Sequence, residues 1–166
     1  YDKAVATPIT TDYRPIKNIT DDYSAYYKFY LKKEIDNYLT DYEKETGKHL
    51  EPKEFAEMID RDDVVVLDVR SNYEHSMGKF KNAVTLDIDN FRDFPAMINE
   101  LAQYKDKKVL TYCTGGIKCE KASALLLKEG FKDVYQLHGG IIKYGMEAGG
   151  EDFEGKCYVF DNRIAV

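Results

Sequence analysis

The residue with the most reactive setting is Cys113, inside the run Val-Leu-Thr-Tyr-Cys-Thr-Gly-Gly-Ile-Lys-Cys-Glu-Lys-Ala-Ser at 109–123. The apolar run Val109 to Tyr112 predicts a strand that delivers Cys113 to its C-terminal end. Thr114, Gly115 and Gly116 then turn the chain, and two glycines let the backbone curl without Cβ clashes. A helix is expected at once, with Ile117, Ala122, Leu125 and Leu126 on one face and Lys121, Lys128 and Glu129 off it. Strand, glycine turn and helix together aim backbone N–H groups at one point, and the helix N-terminus adds partial positive charge. A thiol held there loses its proton easily and becomes a nucleophile. The other reading is a small buried hydrophobe at an ordinary strand-to-helix turn. The strand–loop–helix setting favours the nucleophile.

Such a loop has more than one chemistry. Sulfur carried as a cysteine persulfide would be held by the loop N–H groups, so a small sulfur-containing anion is a candidate ligand at Cys113. Phosphatase chemistry needs an arginine that grips phosphate with two parallel bonds. Here Lys118 closes the loop and cannot supply that planar fork. Cys119 could resolve an oxidised Cys113, or it could be buried packing. Packing is favoured, because the helix would have to unwind to satisfy disulfide geometry. No flavin or dinucleotide fingerprint appears, no cofactor is evident, and His49, His75 and His138 are not spaced as a metal site.

A second charged position lies at Asp68-Val69-Arg70, where a strand ends at the edge of an α/β sheet that gathers ligand sites. Asp68 could accept from backbone N–H groups of the Lys79–Ala83 loop with Arg70 as its partner. Alternatively, Arg70 could hold an anion beside Cys113. The first is favoured, because buried charges are normally paired.

At 166 residues the chain is long enough for one domain with a real core and an appendage. Its 43% hydrophobic and 33% charged residues describe a globular protein. No apolar run reaches the length of a membrane span, so no membrane partner is expected. Three cysteines, an odd number, point to a reducing compartment, read as the cytoplasm. A net charge of −6 argues against a broad nucleic-acid surface. Arg70, Lys79, Lys81, Lys118 and Lys121 nevertheless fall in or near the loops expected around Cys113.

The elements that must position these residues follow in order. Residues 1–24 read as loop and 25–33 as an edge strand. Residues 36–49 read as linker. Pro52 opens a helix that buries Phe55, Met58 and Ile59. Strands are expected at Val64–Leu67, Ala83–Ile88, Lys108–Tyr112 and Val134–Leu137, with a short last one at Tyr158–Phe160. Helical patterns fall around Phe91–Leu101, interrupted by Pro95, at Ile117–Glu129 ending on Gly130, and from Gly139-Gly140 to Met146. Alternating strands and helices imply a mostly parallel sheet flanked by helices.

The chain resembles the rhodanese superfamily. The resemblance rests on Asp-Val-Arg-Ser-Asn-Tyr-Glu at 68–74 with Gly-Lys-Phe-Lys-Asn-Ala at 78–83, the loop 113–118, and Leu-His-Gly-Gly-Ile at 137–141. It implies an α/β rhodanese-like domain over 48–148, preceded by an extension over 1–47 and followed by a tail over 149–166. A narrower similarity covers Cys-Thr-Gly-Gly-Ile-Lys-Cys-Glu-Lys-Ala-Ser, Gly-Gly-Ile-Ile-Lys-Tyr at 139–144 and Gly-Lys-Cys-Tyr-Val-Phe-Asp at 155–161. It points to the rhodanese-containing tRNA uridine hydroxylases, which make 5-hydroxyuridine at the wobble position. That family usually has arginine where this chain has Lys118. The resemblance implies Cys113 as the catalytic residue, with Thr114, Gly115, Gly116, Ile117 and Lys118 as the loop that stabilises its anion or persulfide. Asp68, Arg70 and Cys119 are then supporting residues, and tRNA is a partner of the full-length protein. Alternatives are a thiosulfate or persulfide sulfurtransferase, and a non-catalytic module that docks RNA or protein. The family's members carry a further N-terminal domain, and many a Cys-rich tail, so this chain is expected to hold the reactive cysteine while binding tRNA weakly.

Overall fold

The computed structural model describes residues 44–160 together with Ala165. The readings for 1–24 and 25–33 lie outside the described residues, as does most of the 1–47 extension. Strands β1 (Lys48–Leu50), β2 (Val64–Asp68), β4 (Lys108–Tyr112) and β5 (Asp133–Leu137) form one parallel sheet in the order β1-β5-β4-β2. Helices α1 (Pro52–Met58), α3 (Ile117–Lys128) and α4 (Gly140–Glu147) flank it, and α2 (Asn72–His75) is one short turn. A small antiparallel pair, β3 (Gly78–Phe80) with β6 (Phe153–Gly155), stands beside the sheet. The fold is the expected α/β one, with a mostly parallel sheet between helices.

The central strands are apolar on both faces because both are covered. Val66, Leu110 and Leu137 join Phe55, Phe80 and Tyr144 in a core beneath α1 and α4. Leu67, Val109 and Val134 point the other way, joining Phe94, Leu126 and Ala122 beneath α3 and the 3-10 turn Phe91–Met97. The two-residue period of a strand produces this division, and it places Cys113 with the second core. Full burial of Phe55 alone contributes about 1.5–3 kcal/mol of apolar transfer.

Several elements differ from the sequence reading. Lys48–Leu50 lies in the stretch read as linker, yet it forms the edge strand β1, in register with Tyr135–Leu137. Its three residues are too short for a periodic signal. Ala83–Ile88 makes no strand. Val84 bridges Leu67 through two bonds, Asp68 N to Val84 O at 2.9 Å and Val84 N to Val66 O at 2.8 Å, and the ladder ends there. Tyr158–Phe160 makes only an isolated bridge, Tyr158 with Ala165, and the paired tail strand is β6. Phe91–Met97 winds as a 3-10 helix around Pro95, which cannot donate an α-helical bond.

Candidate active site around Cys113

Cys113 follows directly on β4 and is 2% exposed. Gly116 N–H donates to its Sγ at 3.1 Å, and the backbone N–H groups of Cys119 and Lys118 also favour the charged form of the sulfur. The Cys119 thiol gives the largest stabilisation, donating its S–H to the Cys113 sulfur. Against the opposing effect of burial, these donors lower the Cys113 pKa to about 6. Cys119 moves the other way. Complete burial, and then the negative partner it faces, push its thiol up, so it stays a donor. The two cysteines are not bonded to each other. Cys119 is therefore packed in the core, as expected, and also supports Cys113 directly.

Two glycines make the loop possible. Gly116 caps α3 at φ +90°, a conformation that favours glycine. A Cβ on Gly140 would lie 2.5 Å from the carbonyl oxygens of both Cys113 and Thr114. Its absence lets α4 begin against the loop, with Ile141 N–H donating to Cys113 O at 3.0 Å and Ile142 N–H to Thr114 O at 3.2 Å. The loop is thus clamped between the starts of two helices.

Asp68 and Arg70 form a closed structural pair, 0% exposed on both sides. Arg70 Nε and Nη2 donate to the two carboxylate oxygens at 2.9 and 2.7 Å, and Nη2 also reaches Gly78 O at 2.7 Å. Tyr112 Oη donates to Asp68 Oδ2 at 2.5 Å and accepts from Phe80 N–H at 3.3 Å. The expected pairing is present, but the link to the 78–83 segment runs through Arg70 and Tyr112 rather than from Asp68 to its N–H groups. The alternative of Arg70 holding an anion beside Cys113 is disfavoured: the guanidinium has no exposed surface, its Nε and Nη2 are spent on Asp68 and Gly78, and it does not line the cavity over Cys113.

A cavity of about 440 Å³ opens over Cys113, Thr114 and Gly115. Ile117 belongs to its wall: it is 82% exposed rather than on the buried face of α3, which Cys119, Ala122, Ser123 and Leu126 form. It is the first residue of the helix and precedes the turn that meets the sheet. Lys118 contributes its backbone N–H to the thiolate, while its Nζ pairs with Glu74 Oε2 at 2.5 Å. Glu74, Ile142, Val159 and Phe160 complete the wall, and sequence reasoning did not place them there. Glu74 had a usable signal, the Ser71-x-x-Glu74 spacing in which Glu74 Oε2 accepts from Ser71 N–H at 3.0 Å. Val159 and Phe160 had only their place in the 155–161 motif, which does not say what they touch; they arrive by the return of the tail, where Thr114 Oγ1 donates to Tyr158 O at 3.3 Å. The histidines stand apart from Cys113's donors. His49 and His138 meet edge to face at 5.8 Å and bind Glu120 and Glu51, respectively.

A buried cysteine of lowered pKa on a strand–glycine–helix loop, at the carboxyl edge of a parallel sheet, is the arrangement of one group of proteins. Residues 51–147 match the model of the Rhodanese-like domain, and the chain belongs to that family. Its relatives narrow the group. The chain is 78% identical over 121 residues to the tRNA uridine(34) hydroxylase of Cytophaga hutchinsonii, covering 73% of this chain and 39% of that protein. It is 53% identical over 124 residues to the protein of the same description from Bacillus thuringiensis, with the same coverage. The chain therefore spans about two fifths of the length of the curated relatives it matches. Among solved structures, the thiosulfate sulfurtransferase of Pseudomonas aeruginosa aligns with a TM-score of 0.54 at 22% identity, over 65% of this chain and 20% of that one. A single-domain sulfurtransferase of Saccharomyces cerevisiae aligns at 0.52 and 16% identity, over 63% and 94%. These two likenesses establish the fold.

Proposed function

We propose that this chain is the rhodanese-type catalytic domain of an enzyme that hydroxylates the wobble uridine of tRNA to 5-hydroxyuridine, with Cys113 as the reacting residue. The observation that carries the reading is the 78% identity over 121 residues to a tRNA uridine(34) hydroxylase, in a chain that presents an acidic Cys113 at a cavity. The loop's part in the chemistry is to keep Cys113 as a thiolate. Gly116, Lys118 and Cys119 supply N–H donors, the Cys119 thiol supplies another, and Gly140 holds the loop against α4. The substrate is tRNA, bound by the full-length protein, and the compartment is the cytoplasm, in keeping with three thiols that form no disulfide. The test is mass spectrometry of tRNA from a strain lacking the gene. Loss of 5-hydroxyuridine, restored by the intact gene and not by Cys113→Ser, is the expected result. Unchanged 5-hydroxyuridine in the deletion strain overturns the reading.

A second reading has its own observation. The converging N–H groups also suit the terminal sulfur of a Cys113 persulfide, which favours transfer from a small sulfur-containing anion such as thiosulfate. Turnover in a cyanide–thiosulfate assay, lost in Cys113→Ser, supports sulfurtransfer. Its absence leaves hydroxylation. The non-catalytic docking module is disfavoured by the intact and activated thiol.

A further inference from the structure

The Cys113 cavity contains an acceptor that the fold leaves without a donor. Glu74 lines the cavity, and its side chain is fully buried. Oε2 receives Ser71 N–H and Lys118 Nζ. Oε1 is buried and has no hydrogen-bond partner among the described residues. Buried polar atoms are normally satisfied, so an orphan at a cavity wall asks for a ligand donor. The other buried orphan, Arg70 Nη1, belongs to the sealed Asp68 pair and does not line this cavity.

The rest of the mouth is apolar and flat. Ile117, Ile142 and Phe160 are exposed large hydrophobic residues, and all three line this cavity. Phe160 is braced edge to face by Tyr158 at 5.1 Å, and Lys118 Nζ lies 5.4 Å from its ring centroid. An aromatic face beside one free acceptor and one ammonium suits a planar ring that carries an N–H next to a carbonyl. The ring stacks on Phe160, the N–H donates to Oε1, and the carbonyl accepts a hydrogen bond from Lys118 Nζ. Uracil presents that edge. Cytosine places a lone pair where uracil has its N–H, and would set acceptor against acceptor.

We propose that Glu74 selects uracil at the Cys113 cavity, its free Oε1 accepting the imide N–H of the base. The inference rests on the tRNA-uridine reading above and adds the residue that distinguishes uridine from cytidine. Of the groups bonded to Glu74, Lys118 is the one with exposed surface, at 23%.

The test is protection of Cys113 from iodoacetamide, in the full-length protein, by anticodon stem-loops that differ only in the wobble base. In the unaltered chain, uridine should half-protect at a concentration at least about tenfold below cytidine or N3-methyluridine, the discrimination one buried hydrogen bond supplies. Glu74→Gln, whose amide can donate or accept, should bring uridine and cytidine to within about threefold. Equal protection by uridine, cytidine and N3-methyluridine overturns the proposal, as does an undiminished uridine preference in a Glu74→Gln chain that still alkylates normally without RNA. Should Glu74→Gln fail to fold, the base comparison on the unaltered chain decides. Uridine protecting better than a stem-loop lacking the wobble base, but no better than cytidine, overturns this proposal and leaves the tRNA-uridine reading standing. Uridine protecting no better than the baseless loop overturns both.

Discussion

Two acid–base pairs stand near the carboxyl edge of the sheet, and they differ in closure. Asp68 and Arg70 are sealed, with both oxygens of Asp68 filled by Arg70 and Tyr112. Glu74 and Lys118 are half open, with one oxygen filled, one free, and a lysine that reaches solvent. Sequence alone favours a structural role for the first pair, because buried charges are normally paired, and does not bring Glu74 and Lys118 together at all. Burial separates the two. A carboxylate with both oxygens filled inside the fold holds the fold, and a carboxylate with a spare oxygen at a cavity wall is available to a ligand.

Breaking the sealed pair should have the largest effect. Arg70→Met leaves Asp68 buried without its ion partner and should destabilise the domain by about 3–5 kcal/mol in urea unfolding. A loss below about 1 kcal/mol would mean that water reaches Asp68 and that the two pairs are alike. Lys118→Met should cost less, about 1–3 kcal/mol, because the cavity can supply water to Glu74.

Reactivity should follow different residues from stability. The rate of Cys113 alkylation should rise as pH increases through about 6 and then level off. Cys119→Ala removes the strongest donor and should raise that midpoint by about one to two units, the worth of a hydrogen bond to a charged group. Lys118→Met should leave the midpoint nearly in place, since Lys118 supports the thiolate through its backbone N–H. A large upward shift in Lys118→Met would show that the ammonium, rather than the N–H array, sets the acidity. The same preference bears on folding. The folded Cys113 pKa lies below its ordinary value of 9.0, so the stability it adds is fully present above pH 9 and is lost as pH falls through about 6. Cys113→Ser should therefore lose stability relative to the unaltered chain at alkaline pH and little below pH 6, measured by urea unfolding at both ends.

The strands β2, β4 and β5, the helices α1, α3 and α4, and the Cys113 loop were legible because each has a local cause. Val64 to Leu67 and Val109 to Tyr112 are continuous apolar runs, Pro52 suits a first helical turn, and Gly116 and Gly140 permit backbone that other residues resist. What was not legible depends on distant segments. Lys48–Leu50 becomes a strand because β5 offers an edge, and Ala83–Ile88 fails to become one because its ladder with β2 stops at Val84. Ile117 fits the helical pattern but sits one turn too early to meet the sheet. Glu74 and Phe160 reach Cys113 only through tertiary packing.

The tail that brings Val159 and Phe160 to the cavity lies past residue 147, where the family match ends. The nucleophile and one wall of the cavity over it are thus carried on separate stretches of the chain. Changes at 159–160 can remodel that wall while leaving the donors to Cys113 untouched. For an engineer, a domain trimmed at the family boundary keeps Cys113 and Glu74 and loses the aromatic side of the pocket.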